Sequence, residues 1–159
     1  MMFTKLPRQL LPLLLLYVDD KKPIYGRTRM VKLVFLTQQE VKGLSKFMEL
    51  YDWIPYHFGP FSDDLIEDLE LLRLWGLINI EEEGLEEPDA SSESVKYSIS
   101  SRGERFLESK AISKIPKGVL KKIEELKRRY LTMPIIELLR LVYVKYGYVE
   151  RSKIKERIL

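Results

Sequence analysis

His57 is the only histidine of the 159-residue chain, and there is no cysteine. One imidazole and no thiolate cannot supply the three or four nitrogen and sulfur ligands of a zinc site. A serine hydrolase would have to use His57 as its sole base, and its neighbours Tyr56, Phe58, Gly59 and Pro60 suit a turn with the ring against an aromatic side chain. A hard cation is the other chemistry on offer. Asp63, Asp64, Glu67, Asp68 and Glu70 include carboxylate pairs four residues apart, which bring oxygen ligands together on one helix face; the simpler reading of that face is a solvated one. Asp89, Glu93 and Lys96 resemble the Asp and Glu-x-Lys arrangement of metal-dependent nucleases. However, Glu93 and Lys96 are three apart, and strand side chains share a face only at spacings of two. Neither a glycine-rich phosphate loop nor a dinucleotide fingerprint occurs. The residues point to a non-enzymatic protein with no catalytic centre, no cofactor and no metal.

The elements that would position these groups follow from apolar spacing. Leu10 to Val18 is an apolar run followed by Asp19, Asp20, Lys21 and Lys22. It is far short of the roughly 20 residues that span a bilayer and lacks a small-residue cleavage site. It reads as a buried helix from Leu10 to Asp19, entered or kinked at Pro12. Absence of a membrane span and of cysteine makes the cytoplasm the expected location. A second helix begins near Thr28, with Met30, Val31, Val34 and Phe35 inward; helix or turn continues over Leu44 to Tyr51, and Trp53 to Phe58 has strand composition until Gly59-Pro60 stops it. Ser62 is the expected N-cap of a third helix carrying Asp63 and Asp64 in its first turn. Leu65, Leu69, Leu72 and Trp75 form its buried stripe, Asp64, Glu67, Asp68 and Glu70 its wet side, and Gly76 its end. These leucines are expected to pack against Val34 and Phe35.

Leu77 to Ile80, an acidic loop over Glu81 to Ser94, and the alternation of Val95, Tyr97 and Ile99 with polar residues predict a hairpin with a long tip. Arg102 to Ser109, Pro116 to Tyr130 and Pro134 to Tyr146 predict three more helices, followed by a basic tail over Arg151 to Leu159. The fold class is thus mainly α with a small β-hairpin: a winged helix-turn-helix domain over residues 1–110, plus a C-terminal helical extension over 111–159. The helix over 134–146 is apolar nearly all round through Ile135, Ile136, Leu138, Leu139, Leu141, Val142 and Val144. It is the expected homodimer contact.

Two segments carry a resemblance. Tyr97-Ser98-Ile99-Ser100-Ser101-Arg102-Gly103 resembles the Tyr-x-Leu-Thr-x-x-Gly pattern that ends the hairpin in winged-helix regulators of the PadR and MarR type, with Ile99 and Ser100 at the Leu and Thr positions. The stretches Arg29 to Leu36, Tyr56 to Ser62 and Trp75 to Ile78 resemble the prokaryotic winged-helix proteins related to the Panacea antitoxin domain, a likeness spanning about residues 8 to 110. It implies a DNA-regulator shape and, for some members, action through partner proteins such as toxins.

Charge divides the functional expectations. The net charge is +3 overall, but it is +4 over residues 1–60, −10 over 61–101 and +9 over 102–159. The third helix, which winged-helix proteins usually insert into the major groove, is acidic, and each like-charge approach to phosphate at about 4 Å costs on the order of 1 kcal/mol even in water. DNA is therefore expected to meet basic surfaces elsewhere: Arg27, Arg29 and Lys32 on the second helix, and Lys117, Lys121, Lys122, Arg128 and Arg129 beyond residue 110. Lys127 lies in the same basic stretch. The alternative is a protein-binding module of antitoxin type that meets a basic partner through Asp63, Asp64, Glu67 and Asp68.

Overall fold

A helix made almost wholly of leucine has no face to offer water, so it must sit where other elements can cover it all round. The computed structural model, which describes residues 4–56, 59–82 and 95–147, puts the first helix, α1 (Leu10–Lys21), in that position: Leu11, Leu13, Leu14, Leu15 and Leu16 have no exposed surface. Pro12 lies in the first turn, where its missing N–H is not needed. The strand β1 (Ile24–Tyr25) leads into α2 (Arg27–Glu40), buried at nine consecutive positions from Arg29 to Thr37. These two helices form the centre of the molecule.

The regular dihedrals of α1 fail at Val18, and Asp19, Asp20 and Lys21 all take positive φ, between 55° and 58°. Three consecutive left-handed residues with side chains cost roughly 1–2 kcal/mol each. They are held from outside: Lys127 Nζ donates to the carbonyls of Val18 at 2.9 Å and Lys22 at 2.7 Å, and Glu124 accepts from the Asp19 N–H at 3.1 Å.

After α2 the chain makes one 3₁₀ turn at Leu44–Lys46 and then runs extended, so helix does not continue to Tyr51. Gly59-Pro60, expected to stop the aromatic stretch, itself opens a second strand. The strands β2 (Ile54–Tyr56) and β3 (Gly59–Phe61) pair antiparallel, Ile54 opposite Phe61. Gly59 has φ +100°, a conformation open to glycine at little cost, and Pro60 is tolerated in a two-stranded edge. His57 lies outside the described residues.

The helix α3 (Asp63–Leu74) begins as expected, with the Ser62 hydroxyl oxygen accepting from the Leu65 N–H at 3.2 Å. Leu65, Leu69 and Leu72 are buried in the same core as Val34 and Phe35. The strands β4 (Ile78–Glu82) and β5 (Val95–Ile99) are antiparallel, and β1 adds on the other side of β5 to give the order β1-β5-β4. The loop expected over Glu81 to Ser94 begins later, because Glu81 and Glu82 belong to β4; the rest of it, from residue 83 to 94, falls outside the described residues, as does the tail from Arg151 to Leu159.

Ser100 caps the short helix α4 (Ser101–Phe106): its hydroxyl accepts from the Gly103 N–H at 2.9 Å and donates to the Gly76 carbonyl. Two longer helices, α5 (Lys117–Tyr130) and α6 (Ile135–Tyr146), close the fold. α5 packs along α1, and α6 along α2. Their buried residues, among them Ile123, Leu126, Leu138 and Val142, belong to the same core as the leucines of α1. Leu138, Leu139, Val142 and Tyr143 of α6 are buried within the chain, and Val144 is left exposed. Among the described residues no helix is long and apolar enough to cross a membrane.

Candidate functional site

Taking 100° per residue, the buried stripe of α3 runs through Leu65, Leu69 and Leu72, and the opposite line runs through Asp63, Glu67, Glu70 and Leu74. All four of these are exposed, as are Leu71 and Trp75. The outward face is therefore acidic in its first half and apolar in its last turn. Leu74 is 65% exposed and Trp75 48%. Trp75 does not join the buried stripe, because α3 ends at Leu74 and the indole sits on the cap residue. Beside it, the rings of Trp75 and Phe106 and the Arg102 side chain rim a hollow of about 320 Å³, floored by Leu10, Leu13 and Leu72. The signal for this patch was present in the sequence: Leu71 and Leu74 fall off the leucine stripe, among the acids.

Asp68 departs from the expected partner surface. It sits at the edge of the buried stripe, is 2% exposed, and is fully engaged: Arg8 Nε donates to it at 2.8 Å, Gln9 Nε2 at 3.1 Å and the Tyr51 hydroxyl at 2.8 Å. The Arg8 guanidinium also lies over the Tyr51 ring, 5.2 Å from its centroid. Burial and this bond to Asp68 push the Tyr51 hydroxyl well above the usual tyrosine range. Asp64 stays half exposed, 3.4 Å from Arg8. Asp63 and Glu67 are exposed, and Glu70 pairs with Arg73.

The basic candidates separate sharply. Arg29 is buried and donates from one Nη to the carbonyls of Tyr130 at 3.1 Å and Met133 at 2.7 Å; the first ends α5 and the second lies in the turn that follows it. Lys32 is buried and donates to the Pro60 carbonyl at 2.9 Å. Lys127 is wholly buried against the end of α1. These three side chains are turned inward and cannot meet a phosphate, which corrects the sequence-based assignment of Arg29 and Lys32 to a DNA surface. Arg128 is exposed but paired with Asp19 at 3.0 Å and Glu124 at 3.2 Å, and Arg129 with Glu40 at 3.4 Å. Arg27, Lys117, Lys121 and Lys122 are exposed, and none of them enters an ion pair among the described residues.

Burial also sets the protonation of the inward lysines, drawing Lys32 down to about 7 and Lys127 down to about 8. Asp19 moves the other way. Burial opposes its ionisation, but the hydrogen bond from Arg128 and the charges of Lys22, Arg128 and Lys127 prevail and hold its carboxyl below the usual range. An unfolded lysine titrates near 10.4. Between the folded and unfolded values the unfolded chain binds more protons, so stability increases with pH there. Urea midpoints are therefore expected to rise from about pH 7.5 to about pH 9.5, and Lys32→Met to flatten the rise. A midpoint that falls over this range in the unaltered chain would contradict the burial of both amines.

No metal-ligand cluster of three or more His, Cys, Asp or Glu occurs among the described residues. No known protein family matches the chain, and no curated protein or solved structure is significantly similar to it.

Proposed function

We propose that the chain is a winged-helix protein of the cytoplasm that acts as a protein-binding module of antitoxin type, with the outward face of α3 meeting a basic partner. The fold part of the reading draws support from element order. Helix, strand, helix, helix and hairpin follow one another as α1, β1, α2, α3 and β4–β5, with β1 laid against the hairpin. The observation that carries the function is the composition of α3. Asp63, Glu67 and Glu70 stand exposed in line with Leu74, beside Trp75 and the Phe106 hollow. Phosphate repels that face, whereas a basic helix or strand with an apolar anchor complements both of its halves. Exposed Trp and Leu at the end of an acidic stripe supply the anchor contact that dominates interface energies.

A second reading retains DNA. It rests on Lys117, Lys121 and Lys122, which stand exposed on α5 without ion-pair partners among the described residues. Titration of a labelled duplex at about 50 mM salt separates the two, because phosphate affinity is greatest at low salt. The protein-binding reading predicts no saturable binding at micromolar protein. Saturable binding that is lost in the Lys117→Glu, Lys121→Glu, Lys122→Glu triple variant would establish the DNA reading in its place.

A further inference from the structure

Lys32 stands apart from the other two inward cations. Arg29 and Lys127 each donate to two carbonyls, whereas Lys32 Nζ has the Pro60 carbonyl at 2.9 Å and, among the described residues, enters no ion pair. It is 2% exposed. An ammonium carries three N–H donors, and one carbonyl is poor compensation for taking that charge out of water. A neutral amine fits better: one N–H goes to Pro60, and the nitrogen keeps its lone pair.

The Lys32 side chain lines a cavity. Arg27, Thr28, Val31 and Lys32 of α2 and Tyr56, Gly59 and Phe61 of the β2–β3 hairpin line a hollow of about 260 Å³. The Tyr56 and Phe61 rings lie 5.2 Å apart between centroids along one side. The lining is mostly apolar with few polar groups, the usual make-up of a small-ligand site.

We propose that Lys32 is a nucleophilic lysine that captures a small aldehyde or ketone with an apolar body as an imine in this cavity. The nitrogen lone pair attacks the carbonyl carbon while the C–O π electrons move to oxygen. A proton passes from nitrogen to that oxygen to give a carbinolamine. The C–O bond then breaks as the nitrogen lone pair forms C=N, and the departing hydroxyl takes the remaining N–H proton and leaves as water, so the step consumes one carbonyl, releases one water and needs no oxidant or reductant. Tyr56, Phe61 and Val31 surround the apolar body, the Thr28 hydroxyl is the neutral polar group of the wall, and exposed Arg27 stands among the lining residues as its other cationic side chain. Desolvation favours the reactive form: with its titration drawn down to about 7, Lys32 is about half neutral at neutral pH, where an ordinary lysine is neutral in roughly one molecule in a few thousand.

The test uses the unaltered chain with benzaldehyde as the probe, sodium cyanoborohydride to trap the imine as an N-benzyl amine, and peptide mapping by mass spectrometry at about pH 7. Lys32 is expected to be labelled about tenfold or more ahead of exposed Lys121 and Lys122, since its larger neutral fraction outweighs its lower intrinsic nucleophilicity. Unfolding in guanidinium before labelling should abolish that preference. Labelling of Lys32 no faster than Lys121, or a preference that survives unfolding, overturns the proposal.

Discussion

Asp68→Ala is expected to lower the folding free energy by about 3 kcal/mol or more, while Asp64→Asn, one helical turn away, should change it by less than about 0.5 kcal/mol. In sequence the two carboxylates look alike. In the fold, Asp68 joins α3 to two other segments: Arg8 and Gln9 before α1, and Tyr51 before β2, all donate to its oxygens. Removing it strands the buried Tyr51 hydroxyl and the Arg8 Nε, which have no second carboxylate of comparable geometry, Asp64 lying 3.4 Å from Arg8 and half exposed. Loss of one partner from a buried charged network costs far more than the network contributes relative to an apolar isostere. Urea unfolding at constant m-value gives the comparison directly. Equal small effects for the two variants would mean that the Arg8–Asp68–Tyr51 joint is absent in solution.

Gly103→Ala is expected to cost about 3 kcal/mol or more, a large effect for a helical glycine, where the same change usually gains up to about 1 kcal/mol. The sign reverses because there is no room. A Cβ on Gly103 would run into the Leu77 carbonyl oxygen and lie 2.9 Å from Ile99 Cγ1. The Leu77 carbonyl cannot yield freely, since it accepts the Ser100 N–H at 3.0 Å and so ties α4 to the hairpin. Gly118 is the internal control: it is also helical, nothing lies within 4 Å of its Cβ position, and Gly118→Ala should stabilise modestly. If thermal unfolding showed both substitutions neutral or stabilising, α4 would not be seated on the hairpin as described.

Gly103 also illustrates what the sequence made legible. Tyr97-Ser98-Ile99-Ser100-Ser101-Arg102-Gly103 was readable as the end of a hairpin strand followed by a helix, and each part has a physical role: Tyr97 is buried, Ser100 caps α4, and Gly103 admits the Leu77 carbonyl. Ser62 and the Leu65, Leu69, Leu72 stripe were equally readable, because capping and helical spacing are local. The inward cations were not. Periodicity assumes one buried face, and α2 lies between α1, α6 and the β2–β3 hairpin, so Arg29 and Lys32 turn inward despite their charge. Their partners are carbonyls 101 and 28 residues away, and no local pattern encodes an acceptor at that distance. The acidic face was half legible: the carboxylates stood out, but Trp75 read as core, and Leu71 and Leu74 were not credited as part of the same surface.

The same assignment of inward and outward residues leaves α3 as the surface on which the account depends. The direct measurement is paired capture from native cells, with the immobilised unaltered chain, a Leu74→Asp/Trp75→Asp variant and a Lys121→Glu/Lys122→Glu variant, retained proteins being quantified together. Both substitutions in the first pair fall on exposed positions, so the unfolding free energies of all three from urea titration should agree within about 0.5 kcal/mol before capture. The account predicts a basic protein retained by the unaltered chain and by the lysine variant, and depleted at least about tenfold by the α3 variant, as loss of an aromatic anchor implies. A partner kept by the α3 variant and lost by the lysine variant would contradict it.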